Sequence, residues 1–195
     1  MKQALGQAGL PRGLIGRILG RIMLKHNAPD NQWTLSLLNI NPGEQVLEIG
    51  FGPGAAIESL VRRDASVQVT GVDHSEAMLA QASARNRQAI AAGNVKLQQG
   101  SVDTLAFDDA SFDKAYSINC IYFWADPVQG LKELYRVLKP GGQLAITVRD
   151  KPRDSYQPFR PDKLAQRFQQ AGFHAVDVKA NGVPAHPLFC VLGLK

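Results

Sequence analysis

The sequence predicts an α/β protein built on one mostly parallel, seven-stranded sheet with helices on both faces. Three observations carry that expectation. From Val46 onward, short runs of β-branched and aliphatic residues alternate with segments of helical periodicity. The first run, Val46 to Ile49, passes directly into a turn with glycines at alternate positions, Gly50, Gly52 and Gly54. At 195 residues and 45% hydrophobic, the chain is long enough for one domain with a proper core.

The strand–turn–helix unit comes first because it organises the rest. Ala55 to Val61 reads as a helix with Ile57, Leu60 and Val61 at i, i+3 and i+4. Glycine lets a backbone turn sharply and approach a ligand with no Cβ in the way. A helix N-terminus after such a turn offers unpaired N–H groups, so the unit suits a nucleotide. The spacing here is G-x-G-x-G, whereas a dinucleotide fingerprint is G-x-G-x-x-G. The second strand, Val67 to Val72, ends on Asp73, nineteen residues after Gly54. A carboxylate there suits the two hydroxyls of a ribose, each oxygen accepting one O–H. Glu48, inside the first strand, would repel a pyrophosphate and attract an ammonium group. A ligand with a ribose at one end and an amino acid at the other is S-adenosylmethionine.

VLEIGFGPG followed by VTGVDHSEAML resembles motifs I and II of the class I S-adenosylmethionine-dependent methyltransferases. The likeness continues through QQGSVDTLAF, SFDKAYSINCIYFW and ELYRVLKPGGQLAI, covering Val46 to about Val148. It is strongest toward the small-molecule branch that includes the ubiquinone/menaquinone C-methyltransferases. The resemblance implies a Rossmann-like, doubly wound sheet whose last strand is antiparallel. It also implies a set of cofactor-side residues: Glu48, Gly50, Phe51, Gly52 and Gly54 in motif I, Asp73 and His74 after the second strand, and Ser101 and Val102 after the third. Where the family sets Gly-Asp to take the adenine amino group, this chain has Gly100-Ser101, so adenine recognition is expected to rest more on the Val102 backbone N–H. That acidic role is not moved to Asp103.

Taken in order, Leu14, Ile15, Ile18, Leu19 and Ile22 make the apolar face of a first helix, with Arg17, Arg21 and Lys25 opposite. It reads as a core-covering helix, a lid over substrate, or a membrane-surface helix over residues 14–25. Asn27-Ala28-Pro29 is expected to end it, and Asp30 or Asn31 to cap a second helix through Leu38. Residues 1–40 thus form a helical cap on a cofactor-binding core over 45–195. Ser75 should cap one helix running to Ile90 and ending at Gly93, before a third strand at Val95 to Gln99.

Phe112 to Asn119 is the fourth strand, whose C-terminal end should face the cofactor and so adds Asn119 to that site. Asn119 and Tyr122 match the outer residues of the Asn-Pro-Pro-Tyr motif of N-methyltransferases, without its prolines. Tyr122 and Trp124 are candidates for the substrate side, and Phe123 for the core. Asp126-Pro127 starts a helix that Lys139-Pro140-Gly141-Gly142 closes, and Gln143 to Arg149 is the fifth strand. A charged, proline-rich loop, a helix at Pro161 to Ala171 and strands near Ala175 to Lys179 and Leu188 to Leu194 complete the count.

Composition narrows the function classes. With 22 Lys and Arg against 17 Asp and Glu, the net charge of +5 is compatible with an anionic partner, but the basic residues are spread rather than gathered. Nucleic acid is therefore not favoured over a small-molecule substrate. The scattered histidines and the spacing of Cys120 and Cys190 indicate no metal site, and the cysteines read as reduced thiols in a cytoplasmic protein. No apolar run reaches the length of a membrane span. The reading is a small-molecule methyltransferase using direct in-line transfer. Its alternatives are an RNA or protein methyltransferase and a non-catalytic cofactor-binding protein. Tyr122, His26 and His186 are candidate proton acceptors, and none is assigned.

Overall fold

The computed structural model describes residues 27–151 and 154–195. The helix expected over residues 14–25, with its readings as core cover, lid or membrane helix, lies outside those residues. The described chain runs α1 (residues 27–37), β1 (Gln45–Ile49), α2 (Ala55–Arg63), β2 (Gln68–Asp73), α3 (Glu76–Arg85), α4 (Arg87–Ala91) and β3 (Val95–Gln99). It continues through β4 (Phe112–Ile118), a 3₁₀ turn at Ile121–Phe123, α5 (Pro127–Val137), β5 (Leu138–Arg149) and a second 3₁₀ segment at Asp154–Phe159. α6 (Pro161–Gln170), β6 (His174–Ala180) and β7 (Leu188–Leu194) complete it.

The seven strands form one sheet in the order β3-β2-β1-β4-β5-β7-β6. β1 is parallel to β2 and β4, β2 to β3, and β4 to β5, while β7 runs antiparallel to β5 and β6. The parallel strands therefore bring the C-terminal ends of β1, β2, β4 and β5 to one edge. β7, being antiparallel, enters at that same edge, with Leu188 opposite Arg149. The fold is the Rossmann-like, doubly wound sheet expected from the sequence, down to its antiparallel last strand.

Side-chain alternation along the strands feeds two cores. On one face Leu131, Leu134 and Val137 of α5 and Leu164 and Phe168 of α6 pack over Leu47, Ile49, Ala115, Leu144 and Ile146. On the other, Leu35 from α1, Ile57 and Leu60 from α2 and Met78 and Ala82 from α3 cover Val46, Val69 and Tyr116. A leucine such as Leu60 or Leu134, at 1% and 0% exposure, contributes about 1.5–3 kcal/mol by leaving water.

Four local expectations are corrected. Asn27 to Asp30 are already helical, so Pro29 does not precede the second helix and Asp30 does not cap it; the Asp30 carboxylate is taken by tertiary partners described below. The helix after Ser75 is not continuous to Ile90 but breaks at Asn86, whose Nδ2 donates to Gly54 O at 3.1 Å and Ala82 O at 3.0 Å. Residues Leu138 to Gly142 extend β5 rather than forming a loop, because Leu138 pairs with Phe112 and Gly142 bonds Lys195. Phe123 is 41% exposed, because the 3₁₀ turn sends Ile121 inward in its place. The expected caps at Ser75 and Asp126 are both present, accepting from Met78 N and from Val128 N and Gln129 N.

Candidate active site

The C-terminal edge of β1 and β2 carries the glycine turn. Gly50, Gly52 and Gly54 have φ of 75°, 52° and 76°, a left-handed run that other residues adopt only under strain. The turn is closed by Gly50 N donating to Val72 O at 2.7 Å and Gly54 N to Phe51 O at 2.9 Å. A Cβ on Gly50 would lie 2.1 Å from Cys120 Sγ, so the thiol seats directly on the bare Cα. Arg85 and Asn86 brace the turn through Pro53 O at 3.0 Å and Gly54 O at 3.1 Å. Neither was singled out from sequence; an Asn inside an otherwise regular helical run was the available signal.

Asp73 joins the turn to β2. Its Oδ2 accepts Gly52 N at 2.8 Å and its Oδ1 accepts Ser75 N at 2.9 Å. Burial raises its carboxyl above the ordinary range, against the pull of those backbone donors. Each oxygen still has a lone pair for a further donor. Glu48 sits on the same face as Val46, 3% exposed, and accepts Tyr116 OH at 3.0 Å. Burial pushes it up to about 8, the tyrosine hydrogen bond acting in the opposite direction.

The other sequence-selected positions divide. Phe51 buries its ring in the core against Gly71, leaving only its backbone on the turn. His74 is exposed at the start of the next loop. Ser101 is also exposed and its hydroxyl donates to Asp103 Oδ2 at 3.1 Å, while Val102 is buried. Asp103 Oδ1 is buried and has no hydrogen-bond partner among the described residues. Trp124 packs on Gly130, and its buried Nε1, like Ser117 Oγ, has no hydrogen-bond partner among the described residues. Burial drives the Cys120 thiol up to about 12, so it is no nucleophile at neutral pH.

Asn119 stands at the C-terminal end of β4, as expected, with its Oδ1 buried and unpartnered among the described residues. It holds φ 54°, and its Nδ2 donates to Asp30 Oδ2 at 2.5 Å. Asp30, fully buried, also accepts Arg149 Nε at 2.9 Å on Oδ2 and meets His186 Nε2 at 2.7 Å on Oδ1. Tyr122 OH accepts the Arg149 backbone N–H at 2.8 Å, and its ring meets Tyr156 and Phe159 edge-on. Arg149, Asp150, Lys151, Ala185, His186 and Pro187 line a cavity of about 320 Å³ beside this cluster. The cluster joins positions more than 150 residues apart, as Asp30 and His186 are, and no local pattern announces it.

These features fit S-adenosylmethionine: a bare glycine cradle, a buried carboxylate with spare lone pairs where a ribose is expected, and an unpaired acceptor beside Val102. Among the described residues no group of three or more His, Cys, Asp or Glu side chains converges to hold a metal. Both cysteines are free thiols.

Comparison with known proteins agrees. Residues 47–146 match the family described as Methyltransferase domain. The chain is 35% identical over 182 residues to the Bacillus subtilis (strain 168) protein "Uncharacterized methyltransferase YdaC", covering 91% of this chain and 98% of that one. It is 33% identical over 128 residues to the ubiquinone/menaquinone biosynthesis C-methyltransferase UbiE of Geotalea daltonii, covering 64% of this chain and about half, 54%, of that enzyme. A solved S-adenosylmethionine-dependent methyltransferase from Aquifex aeolicus shares the fold with a TM-score of 0.72 at 21% identity, over 90% of this chain and 97% of that one. With the glycine turn, Asp73 and the sheet order already in place, the chain belongs to the class I S-adenosylmethionine-dependent methyltransferases, in the branch whose curated relatives include the quinone C-methyltransferases.

Proposed function

We propose that this enzyme methylates a small organic molecule by direct in-line transfer, with residues 45–195 as the cofactor-binding core beneath a helical cap over 1–40. The observation that carries the reading is Asp73, whose carboxylate is locked by Gly52 N and Ser75 N at the mouth of the glycine turn. Asp73 would hold the ribose hydroxyls, the Gly50 to Gly54 turn the amino-acid end with Glu48 drawing its ammonium, and Ser101, Val102 and His74 the adenine side. Phe51 contributes backbone only. When bound, the cofactor supplies a methyl group already activated by its positive sulfur, so proximity and alignment are the main demands on the protein.

The substrate would approach from the ends of β4 and β5, where Tyr122 and Trp124 lie with the cavity lined by Arg149 and His186. A small molecule is supported by the relatives, among them the quinone enzyme UbiE. Asn119, tied to Asp30 through Nδ2, would offer its unpartnered Oδ1 on the cofactor side of β4. No described helix is long and apolar enough to cross a membrane, and a cytoplasmic location is part of the proposal.

A metabolite extract incubated with the protein and methyl-labelled cofactor, followed by mass spectrometry, tests it. Label should appear in one or a few small molecules. Label in RNA or protein, or none despite cofactor binding, would overturn the substrate class or the turnover.

A further inference from the structure

We propose that His186, oriented by Asp30, is the general base of this enzyme, and that its methyl acceptor is therefore a weakly acidic hydroxyl such as a phenol, hydroquinone or enol. This rests on the methyltransferase reading and names the substrate class within it.

The placement of the histidine carries the inference. His186 stands on the β6–β7 connection, which enters the C-terminal edge of the sheet beside the end of β5. Its backbone is held from both sides: His186 N donates to Val183 O at 3.0 Å, and Asn181 Nδ2 donates to His186 O at 2.8 Å. Asn181 Oδ1 in turn accepts Val183 N at 3.3 Å and Leu188 N at 3.1 Å. One asparagine thus shapes the whole connection around the histidine. The ring is pinned at a third point, Nε2 against Asp30 Oδ1 at 2.7 Å.

Asp30 decides what the ring can do. A carboxylate accepts only, so in the neutral ring the proton facing it must sit on Nε2, which leaves the Nδ1 lone pair free to accept. Nδ1 makes no hydrogen bond to any described residue, and His186, with 37% of its side chain exposed, lines the cavity at the sheet edge. The carboxylate itself cannot turn away. Asn119 and Arg149 hold its other oxygen, and Asp30 is fully buried in α1.

The step balances without any further reactant. The acceptor O–H gives its proton to His186 Nδ1. The oxygen's electron pair forms the new O–C bond as the C–S bond breaks, and the sulfur keeps that pair as a neutral thioether. The imidazolium that results is countered by Asp30, and its proton passes to water when the product leaves. A neutral amine attacks with its own free pair and sheds its proton only after the transfer, so it places no demand on a base in the bond-forming step.

The charged and titratable groups around the ring are Asp30 from α1, Arg149 at the end of β5, and Asp150 and Lys151 beyond it. The test begins with binding of S-adenosylhomocysteine, followed by thermal shift; failure there would be a failure of the cofactor reading, not of this one. Methyl transfer is then measured with phenols graded from the strongly acidic 4-nitrophenol to the weakly acidic 4-methoxyphenol, with benzylamine and thiophenol as controls. His186→Gln should leave homocysteine-ligand affinity unchanged. It should lower transfer by roughly 10²–10⁴-fold for the weakest acids, a loss that shrinks toward none for phenols already ionised. Nitrogen-15 NMR of the wild-type histidines should find the His186 proton on Nε2, and Asp30→Asn should move it to Nδ1 and reduce transfer as His186→Gln does. Transfer only to amines or thiols, no transfer to any phenol, turnover of His186→Gln within several-fold of wild type, or an Nδ1 proton in the wild type would each overturn the proposal.

Discussion

The Asp73 carboxylate accepts the Gly52 N–H at 2.8 Å, tying the end of β2 to the middle of the glycine turn at the end of β1. That bond gives Asp73 two duties, shaping the turn and, in the proposed function, holding the ribose. Asp73→Ala should reduce affinity for S-adenosylhomocysteine at least roughly tenfold. Each charge-assisted bond contributes about 1.5–3 kcal/mol where well formed, and 1.4 kcal/mol is a factor of ten. Asp73→Asn separates the duties, since its oxygen keeps one backbone acceptor while the charge is lost. Calorimetric titration of both variants, with circular dichroism to verify folding, measures this. Unchanged affinity in folded Asp73→Ala would reduce the residue to a turn-closing role.

Glu48 makes stability depend on pH. Its folded value of about 8 lies above the ordinary 4.5 because burial disfavours the charged form. The sign follows: the contribution is fully present below about 4.5 and is lost as pH rises through about 8. The loss amounts to a few kcal/mol, a tenfold change in equilibrium being about 1.4 kcal/mol. Asp73 is displaced in the same direction, also by burial. Urea denaturation of the ligand-free protein should therefore give lower stability at pH 8.5 than at pH 5, counted as about one protonation step. Glu48→Gln, which still accepts from Tyr116, should flatten that slope. A wild-type profile that rises across this range would mean the glutamate is ionised in the fold.

If Glu48 draws the cofactor's ammonium, binding favours its ionised form. Cofactor affinity should then rise with pH up to about 8 and protons should be released on binding. Titration calorimetry in two buffers of different ionisation enthalpy detects the release. Glu48→Gln should abolish it and weaken binding. Proton release that survives Glu48→Gln would have to come from another group.

Much of this was legible in the sequence, and the failures share a cause. Five motifs in order from Val46 to Val148 announced the sheet, the turn and the Asp73 carboxylate because each is a local pattern: a strand, a glycine, a cap. Helix and strand boundaries erred where a tertiary bond overrode local preference, as when Asn86 left its helix to reach Gly54 O. The Asp30, Asn119, Arg149 and His186 cluster was invisible for the same reason. Asp30 read as a helix cap and Asn119 as a strand-end ligand, both reasonable locally, and only the folded sheet edge shows that they bond each other.

Gly50 should tolerate no side chain. Its φ of 75° alone costs an alanine about 1–2 kcal/mol, and the added Cβ would lie 2.1 Å from Cys120 Sγ. Gly50→Ala should therefore lower the melting temperature measurably and weaken homocysteine-ligand binding. Combining it with Cys120→Ala should recover part of the stability but leave the backbone strain, since Cys120 Cβ still lies 2.7 Å from the new atom. Full recovery in the double variant would show that φ at this position is not constrained.

The last prediction concerns Asn86, which reaches the turn from behind. Its Nδ2 bridges Gly54 O and Ala82 O, and the residue is 3% exposed. Asn86→Ala removes one of two donors to Gly54 O, which still accepts Glu58 N at 3.1 Å, so the cost is that of one net hydrogen bond, about 0.5–1.5 kcal/mol. The Asn86 Oδ1 has no partner among the described residues, so the alanine also relieves one unpaired atom and the net loss should fall at the lower end. Because Gly54 opens α2, whose first N–H groups face the proposed cofactor site, the loss should appear in binding as well as stability. A several-fold drop in S-adenosylhomocysteine affinity is expected, smaller than for Asp73→Ala. Asn86→Asp keeps the size but replaces the donor by an acceptor facing a carbonyl, so it should be worse than alanine on both measures. If Asn86→Asp proved the milder of the two, the Nδ2 contact with Gly54 O would not be what holds the turn.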